Sequence, residues 1–167
     1  MISALHYDSP LGRLTLAEED GALIGLWIQG QKYFPEDLKA LWQRTPTLTL
    51  AEQWLNRYFA GEQPETAALP LSPRGTGFQR QVWAMLRAIP YGEVTTYAAI
   101  AAQIAQSRGI PHMSAQAVGN AVGHNPISIL IPCHRVVGSN GQLTGYAGGL
   151  ERKQWLLDWE RQNICFR

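Results

Sequence analysis

Cysteine is scarce in this chain: Cys133 and Cys165 are the only two among 167 residues. Two cysteines do not make a disulfide scaffold, and without a Cys-x-x-Cys pair there is no structural zinc signature. The four histidines, His6, His112, His124 and His134, lack the helical spacing of a metal-ligand set, so no metal is expected. A surplus of one charge is lacking too. Lys+Arg 14 against Asp+Glu 13 leaves a net charge of +1, so any affinity for nucleic acid must come from local charge and shape. No segment approaches the ~20 apolar residues of a membrane span. The first residues, with His6, Asp8 and Ser9, form neither a basic leader nor an apolar signal core, which points to a cytoplasmic protein. Internal repeats and low-complexity tracts are missing as well.

What is present suffices for one or two small domains, since 46% of residues are hydrophobic. Residues 2–7, 14–17 and 22–28 are short strand candidates separated by Ser9-Pro10-Leu11-Gly12 and Glu19-Asp20-Gly21 turns. Residues 36–44 are expected to be helical, with Pro35 at the start and Pro46 beyond the end. Thr49-Leu50-Ala51-Glu52 has capping-box spacing and is expected to open an amphipathic helix through Trp54, Leu55, Tyr58 and Phe59, stopped by Gly61. Prolines and glycines crowd residues 61–77 and mark a boundary between domains 1–72 and 73–167.

The second part opens with a helix over residues 78–88, with Phe78, Val82, Met85, Leu86 and Ile89 as its buried stripe. Thr96 can cap a helix over 97–105. After a loop through Arg108, Gly109 and Pro111, Ser114 can cap a third helix running to about residue 123. Two short helices with a turn between them give a helix-turn-helix outline. The third helix, Ser114-Ala-Gln-Ala-Val-Gly-Asn-Ala-Val-Gly123, is nearly all small residues. Its glycines each cost about 0.8–1.0 kcal/mol relative to alanine, and they permit close approach to another surface. Tight packing within the protein and approach to a nucleic-acid backbone both fit. Asn140-Gly141 predicts a hairpin after Val136-Val137, returning through a glycine-flanked Tyr146. A last helix over about 151–162 buries Trp155, Leu156 and Trp159 and carries Glu160.

The chemistry-bearing stretch is Pro132-Cys133-His134-Arg135, entered from the strand-like apolar run 127–131. A cysteine attacks as thiolate, so neighbouring proton acceptors and positive charge set its reactivity. A buried cysteine at a strand end is also common as inert packing.

Residues 76–160 resemble the C-terminal domain of the O6-alkylguanine-DNA alkyltransferases, also called methylated-DNA–protein-cysteine methyltransferases. The matching blocks are Phe78-Gln-Arg-Gln-Val-Trp83, Ile89-Pro-Tyr-Gly-Glu-Val94 with Tyr97, Ala117-Val-Gly119, Asn125-Pro126, Ile131-Pro-Cys-His-Arg-Val-Val137, Gly145-Tyr-Ala-Gly-Gly149 and Lys153-Gln-Trp-Leu-Leu157. The first part matches loosely, in size and in its meander start. The fold implied is α+β: an N-terminal domain with a small antiparallel sheet and helices, then a mainly helical domain with the helix-turn-helix and the cysteine segment. The activity implied is direct repair of O6-alkylguanine in double-stranded DNA. The alkyl group passes to Cys133 once per molecule, with no cofactor, by a monomer without an obligate protein partner.

The resemblance also assigns roles. His134 is the base, acting through a water, with Glu160 orienting its imidazole and Asn125 bracing the turn. Tyr97 protonates the leaving base. The carbonyls of Cys133 and Val136 read the guanine amino group, and Tyr146, Ala147, Gly148 and Gly149 shape the pocket wall. Ser114, Ala115, Gln116, Ala117, Gly119 and Asn120 on the small-residue helix, with Arg135 and Arg108, are the expected DNA contacts. The base is expected to flip out of the duplex while this helix occupies the minor groove.

Two positions depart from the family pattern. Gln116 stands where an arginine commonly fills the space of the flipped base, and Ala147 stands where a serine often follows the pocket tyrosine. Two other readings remain at this point: a non-catalytic lesion-binding protein and a cysteine hydrolase. The second is disfavoured because adjacent Cys and His on an extended segment make no direct dyad.

Overall fold

Three antiparallel strands, β1 (Ser3–Ser9), β2 (Gly12–Glu19) and β3 (Ala22–Ile28), open the chain in the computed structural model, which describes residues 1–164. Cys165 therefore falls outside the described residues. The β2–β3 turn needs two consecutive positive φ angles, and Asp20-Gly21 supplies them at 53° and 80°. β2 is buried on both faces: Leu14 and Leu16 enter the main core, while Ala17 joins Ala4, Ile24 and Trp27 in a small second cluster.

The helix expected over 36–44 does not form. Leu41 N–H donates to the Ile2 carbonyl at 2.9 Å and Gln43 N–H to that of Ala4 at 3.2 Å. Leu41–Trp42 thus becomes β4, parallel to β1, and the sheet is mixed in the order β3-β2-β1-β4. A nine-residue helix would be marginal alone, and the open β1 edge offers backbone partners instead. The next helix also starts earlier than expected. α1 spans Pro46–Phe59, capped by Thr45, whose side chain accepts from Leu48 N–H, with Pro46 among its first residues. A proline is tolerated there because the first amides have no intrahelical acceptor. Thr49 and Glu52 lie inside this helix and form no capping box.

Residues 60–76 run back along the sheet. Leu23 N–H donates to Pro70 O at 2.8 Å and Ser72 N–H to Leu23 O at 2.7 Å. Further along β3, Leu26 N–H donates to Pro126 O at 2.9 Å and Ser128 N–H to Leu26 O at 3.1 Å. Both the linker and the segment approaching Cys133 are therefore tied to β3. Leu14, Leu26 and Ile28 share one core with Val82, Ile127, Ile131 and Leu156.

α2 (Gly77–Leu86) opens with a capping box between Thr76 and Gln79 and buries Val82, Trp83 and Leu86. Phe78 and Met85 of the expected stripe are only partly covered. Trp83, outside that stripe, donates its indole N–H to Ala121 O at 2.8 Å. After β5 (Thr95–Thr96), Thr96 caps α3 (Tyr97–Arg108), which ends at Gly109 with φ +65°. Ser114 caps α4 (Ala115–Gly123) as expected. α5 (Leu150–Ile164) closes the described chain.

Two local expectations fail around the cysteine. The apolar run 127–131 is a tight turn rather than a strand, with Ile129 at φ +71°. β-branched residues suit strands, but Ile127–Ile131 is closed by an Ile131 N–H bond to Ile127 O at 3.0 Å. The Asn140-Gly141 turn does form, with Gly138 N–H on Gln142 O at 2.8 Å. No hairpin follows, because Val136–Val137 (β6) pairs in parallel with β5. Among the described residues, no helix is long and apolar enough to cross a membrane.

Candidate active site

Cys133 opens a single 3-10 turn, Cys133–Arg135, behind Pro132. What holds it is the turn before it. The Asn125 amide donates to Ile131 O at 2.8 Å and Ile127 O at 3.4 Å, and its oxygen accepts from Ile127 N–H at 3.0 Å. One side chain thus clamps a loop whose Ile129 sits in the left-handed region, costing about 1–2 kcal/mol for an L-residue. The clamp fixes where Cys133 emerges, 4% exposed. Burial pushes its thiol up, and the Asn125 side chain and the Lys153 ammonium pull it back only in part. At rest Cys133 is therefore a thiol.

His134 points inward, 0% exposed. Its Nε2 meets Glu160 Oε2 at 2.7 Å, while its Nδ1 has no hydrogen-bond partner in the protein. There is accordingly no direct Cys133–His134 hydrogen bond. Burial lowers the imidazole below its ordinary value despite Glu160 beside it, so His134 is a neutral base at physiological pH. Burial would raise Glu160, but His134 and Arg135 overcome it and hold the carboxyl well below the usual range. Glu160 also accepts from Arg135 Nε at 2.8 Å and Nη2 at 3.0 Å, from Gly92 N–H at 3.1 Å and from Tyr58 OH at 2.6 Å.

In front of the cysteine lies a cavity of about 900 Å³. Tyr97, Ser114, Ala115, Gln116, Ala117, Gly119, Asn120, Tyr146 and Ala147 line it with Cys133. α4 turns Val118, Ala121 and Val122 into the core, leaving Ser114, Ala115, Gln116, Ala117 and Asn120 exposed. Its valines pack inward, and Ala115 and Ala117 face out. Tyr97 donates its hydroxyl to Thr144 O at 2.8 Å, and burial raises its pKa.

Several expected positions lie elsewhere. Arg135 is 8% exposed, with its guanidinium on Glu160 and on Ile89 O at 2.7 Å. This corrects its expected place on an open DNA face: an arginine so engaged has no free fork for a phosphate. Arg108 is exposed, but its guanidinium sits on Gln81 Oε1 at 2.8–3.0 Å and over the Phe78 ring. Val136, Gly148 and Gly149 do not line the cavity. The Val136 amide instead occupies the Cys133 carbonyl. Gly148 lies under Tyr146, where a Cβ would stand 2.9 Å from its ring.

The structure adds residues that the sequence reading gave no role. Lys153, 0% exposed, donates to Thr144 O at 3.0 Å, Gly145 O at 3.1 Å and Tyr97 OH at 3.4 Å. It ties the 144–147 pocket wall to α5, and desolvation lowers its pKa to about 8. Lys32 and Tyr33 bring the N-terminal half to the cavity rim. Lys32 N–H donates to Ala147 O at 2.9 Å, and Tyr33 stacks on His124 at 4.1 Å. The N-terminal half thus contributes Lys32, Tyr33 and Tyr58. Among the described residues no cluster of three or more His, Cys, Asp or Glu could hold a metal.

A buried cysteine segment backed by a buried histidine and glutamate, behind a helix-turn-helix in an α+β frame, defines a class that comparison with known proteins sharpens. The family model for the 6-O-methylguanine DNA methyltransferase DNA binding domain matches residues 77–162, and that for the ribonuclease-like domain matches residues 5–73. The methylated-DNA–protein-cysteine methyltransferase of Mycolicibacterium paratuberculosis is 48% identical over 164 residues, spanning 98% of this chain and 94% of the relative. The constitutive enzyme of that name from Bacillus subtilis is 43% identical, spanning 92% of each. Among solved structures, Mycobacterium tuberculosis O6-methylguanine methyltransferase superposes with a TM-score of 0.85 at 43% identity, covering 100% of both chains. Mycobacterium tuberculosis OGT in complex with DNA gives 0.82 at 43% identity, covering 96% of this chain and 94% of that one. The chain belongs to the 6-O-methylguanine DNA methyltransferase family and is an enzyme of the methylated-DNA–protein-cysteine methyltransferase kind.

Proposed function

We propose that this protein repairs O6-alkylguanine in duplex DNA by moving the alkyl group to Cys133 once per molecule. The observation that carries the reading is the buried imidazole of His134, anchored through Nε2 with Nδ1 unpaired beside the cysteine segment. A water between Nδ1 and the thiol gives the base a route to its proton, while Glu160 stabilises the imidazolium that forms. The new bond joins Sγ to the alkyl carbon as the bond from that carbon to O6 breaks. Its electron pair leaves with guanine, and Tyr97 returns a proton to a ring nitrogen. The thioether has no route back to thiol, so the molecule is spent.

The cysteine opens into the cavity, not onto a groove, so the base must leave the stack at a cost of a few kcal/mol. The outward face of α4 carries no bulk larger than Gln116, which suits insertion into a minor groove with little sequence readout. Gln116 can hydrogen-bond an orphaned base but adds no charge. The engagement of Arg108 with Gln81 and Phe78 leaves it on the surface, where it can still meet a phosphate. We assign the protein as a monomer acting on DNA without a protein partner. Incubation with excess duplex containing one O6-methylguanine should restore guanine up to one equivalent per protein and stop. Continued repair beyond one equivalent overturns the single-use reading.

A further inference from the structure

Glu160 is also gripped from the N-terminal half. Tyr58, on the last turn of α1, is 1% exposed and stacks on Trp54 at 5.2 Å, with Phe59 and Tyr91 edge-on to its ring. Its hydroxyl donates at 2.6 Å to the same Oε2 that faces His134 Nε2 at 2.7 Å. Arg135 Nη2 reaches that oxygen too, at 3.0 Å, and an oxygen shared by several donors divides its charge among them. What the phenol draws, the imidazole does not receive.

We propose that Tyr58 is a positioning residue for alkyl transfer, its hydroxyl orienting Glu160 and setting the basicity of His134 from across the domain interface. The inference rests on the proposed role of His134 as base. The other groups facing this pair are Arg135 from the 3-10 turn, the Gly92 amide and Tyr91 from the loop after α2, Lys153 from α5, and Tyr146 from the pocket side. Arg135 and Gly92 are already bonded to the carboxylate through donors of their own. Burial and the neighbouring carboxylate hold the Tyr58 phenol well above its ordinary value, so it stays a donor throughout the working pH range.

Tyr58→Phe keeps the ring and its packing and removes only the donor. Carboxylate charge then falls more fully on His134, and the imidazolium becomes easier to form. The acid limb of the transfer rate should move up by about half to one pH unit. On that limb the rate falls about three- to tenfold, and the loss shrinks as pH rises. The same variant should raise the His134 titration followed by NMR of its imidazole without DNA, and the melting temperature confirms the fold. A limb and a His134 titration that both stay in place overturn the inference, whether the rate is unchanged or falls equally at every pH. A wild-type protein that transfers no alkyl group at any pH overturns the underlying function instead.

Discussion

The two walls of the cavity are built in opposite ways. The wall behind Cys133 is core: Asn125, His134, Arg135 and Glu160 are buried, and Glu160 alone accepts five hydrogen bonds. The wall in front is an exposed small-residue helix face, an irregular 144–149 segment and a stacked Tyr33–His124 pair at the rim. On the proposed reading the first wall fixes the nucleophile against strain, where a small displacement would cost rate. On the proposed reading the second admits a base and a groove of any sequence, which suits the exposed small side chains of its helix face. Chemistry is held by the interior, and recognition by the surface.

The largest expected effect comes from breaking the inner wall at its centre. Glu160→Ala leaves Arg135 buried without a countercharge and should cost about 3–5 kcal/mol of stability in denaturant unfolding. Asn125→Ala releases the strained 125–131 turn and strands buried amide and carbonyl groups. A loss of about 2–4 kcal/mol is expected, with slower alkylation of Cys133 even at temperatures where the variant is folded.

Acid should act on the same wall. His134 and Glu160 both titrate below their ordinary values of 6.5 and 4.5 in the folded protein. The unfolded chain therefore binds more protons below those values, and stability must fall as pH drops. The decline begins near the ordinary His134 value and steepens below that of Glu160. In Glu160→Gln the steeper part should largely disappear, as read from unfolding midpoints across pH.

Changes on the outer wall should leave stability nearly untouched and appear in DNA binding. Gln116→Arg should tighten binding and steepen the dependence of log affinity on log salt by about one. Arg108→Ala should make it shallower by about one, and an unchanged slope would remove Arg108 from the interface.

Legibility in the sequence follows the same division. The α+β frame and the capped helices α3 and α4 were legible because turn and cap chemistry is local: Asp20-Gly21, Thr96 and Ser114 act on their own neighbours. Adjacency alone exposed Cys133-His134, and the family resemblance supplied the roles of Glu160 and Asn125. Tertiary pairing defeated the local signals elsewhere. The β1 edge turned residues 41–42 into a strand, and Asn125 bent an Ile-rich run that reads as extended. Tyr58 lies 102 residues from Glu160, and in sequence it is one more apolar position on a helix. Lys153 carries no role in the sequence, and its three oxygen partners come together only in the fold. Arg135, the most basic group of the motif, looked like a DNA contact because charge is visible in sequence and burial is not.

The central claim is that Cys133 is the alkyl acceptor, and intact-mass spectrometry with peptide mapping tests it most directly. After incubation with a duplex holding one O6-methylguanine, the protein should gain one methyl group, mapped to Cys133, saturating at one equivalent and absent in Cys133→Ser. Lesion-selective binding with no mass gain, or a methyl group mapped elsewhere, would contradict the account.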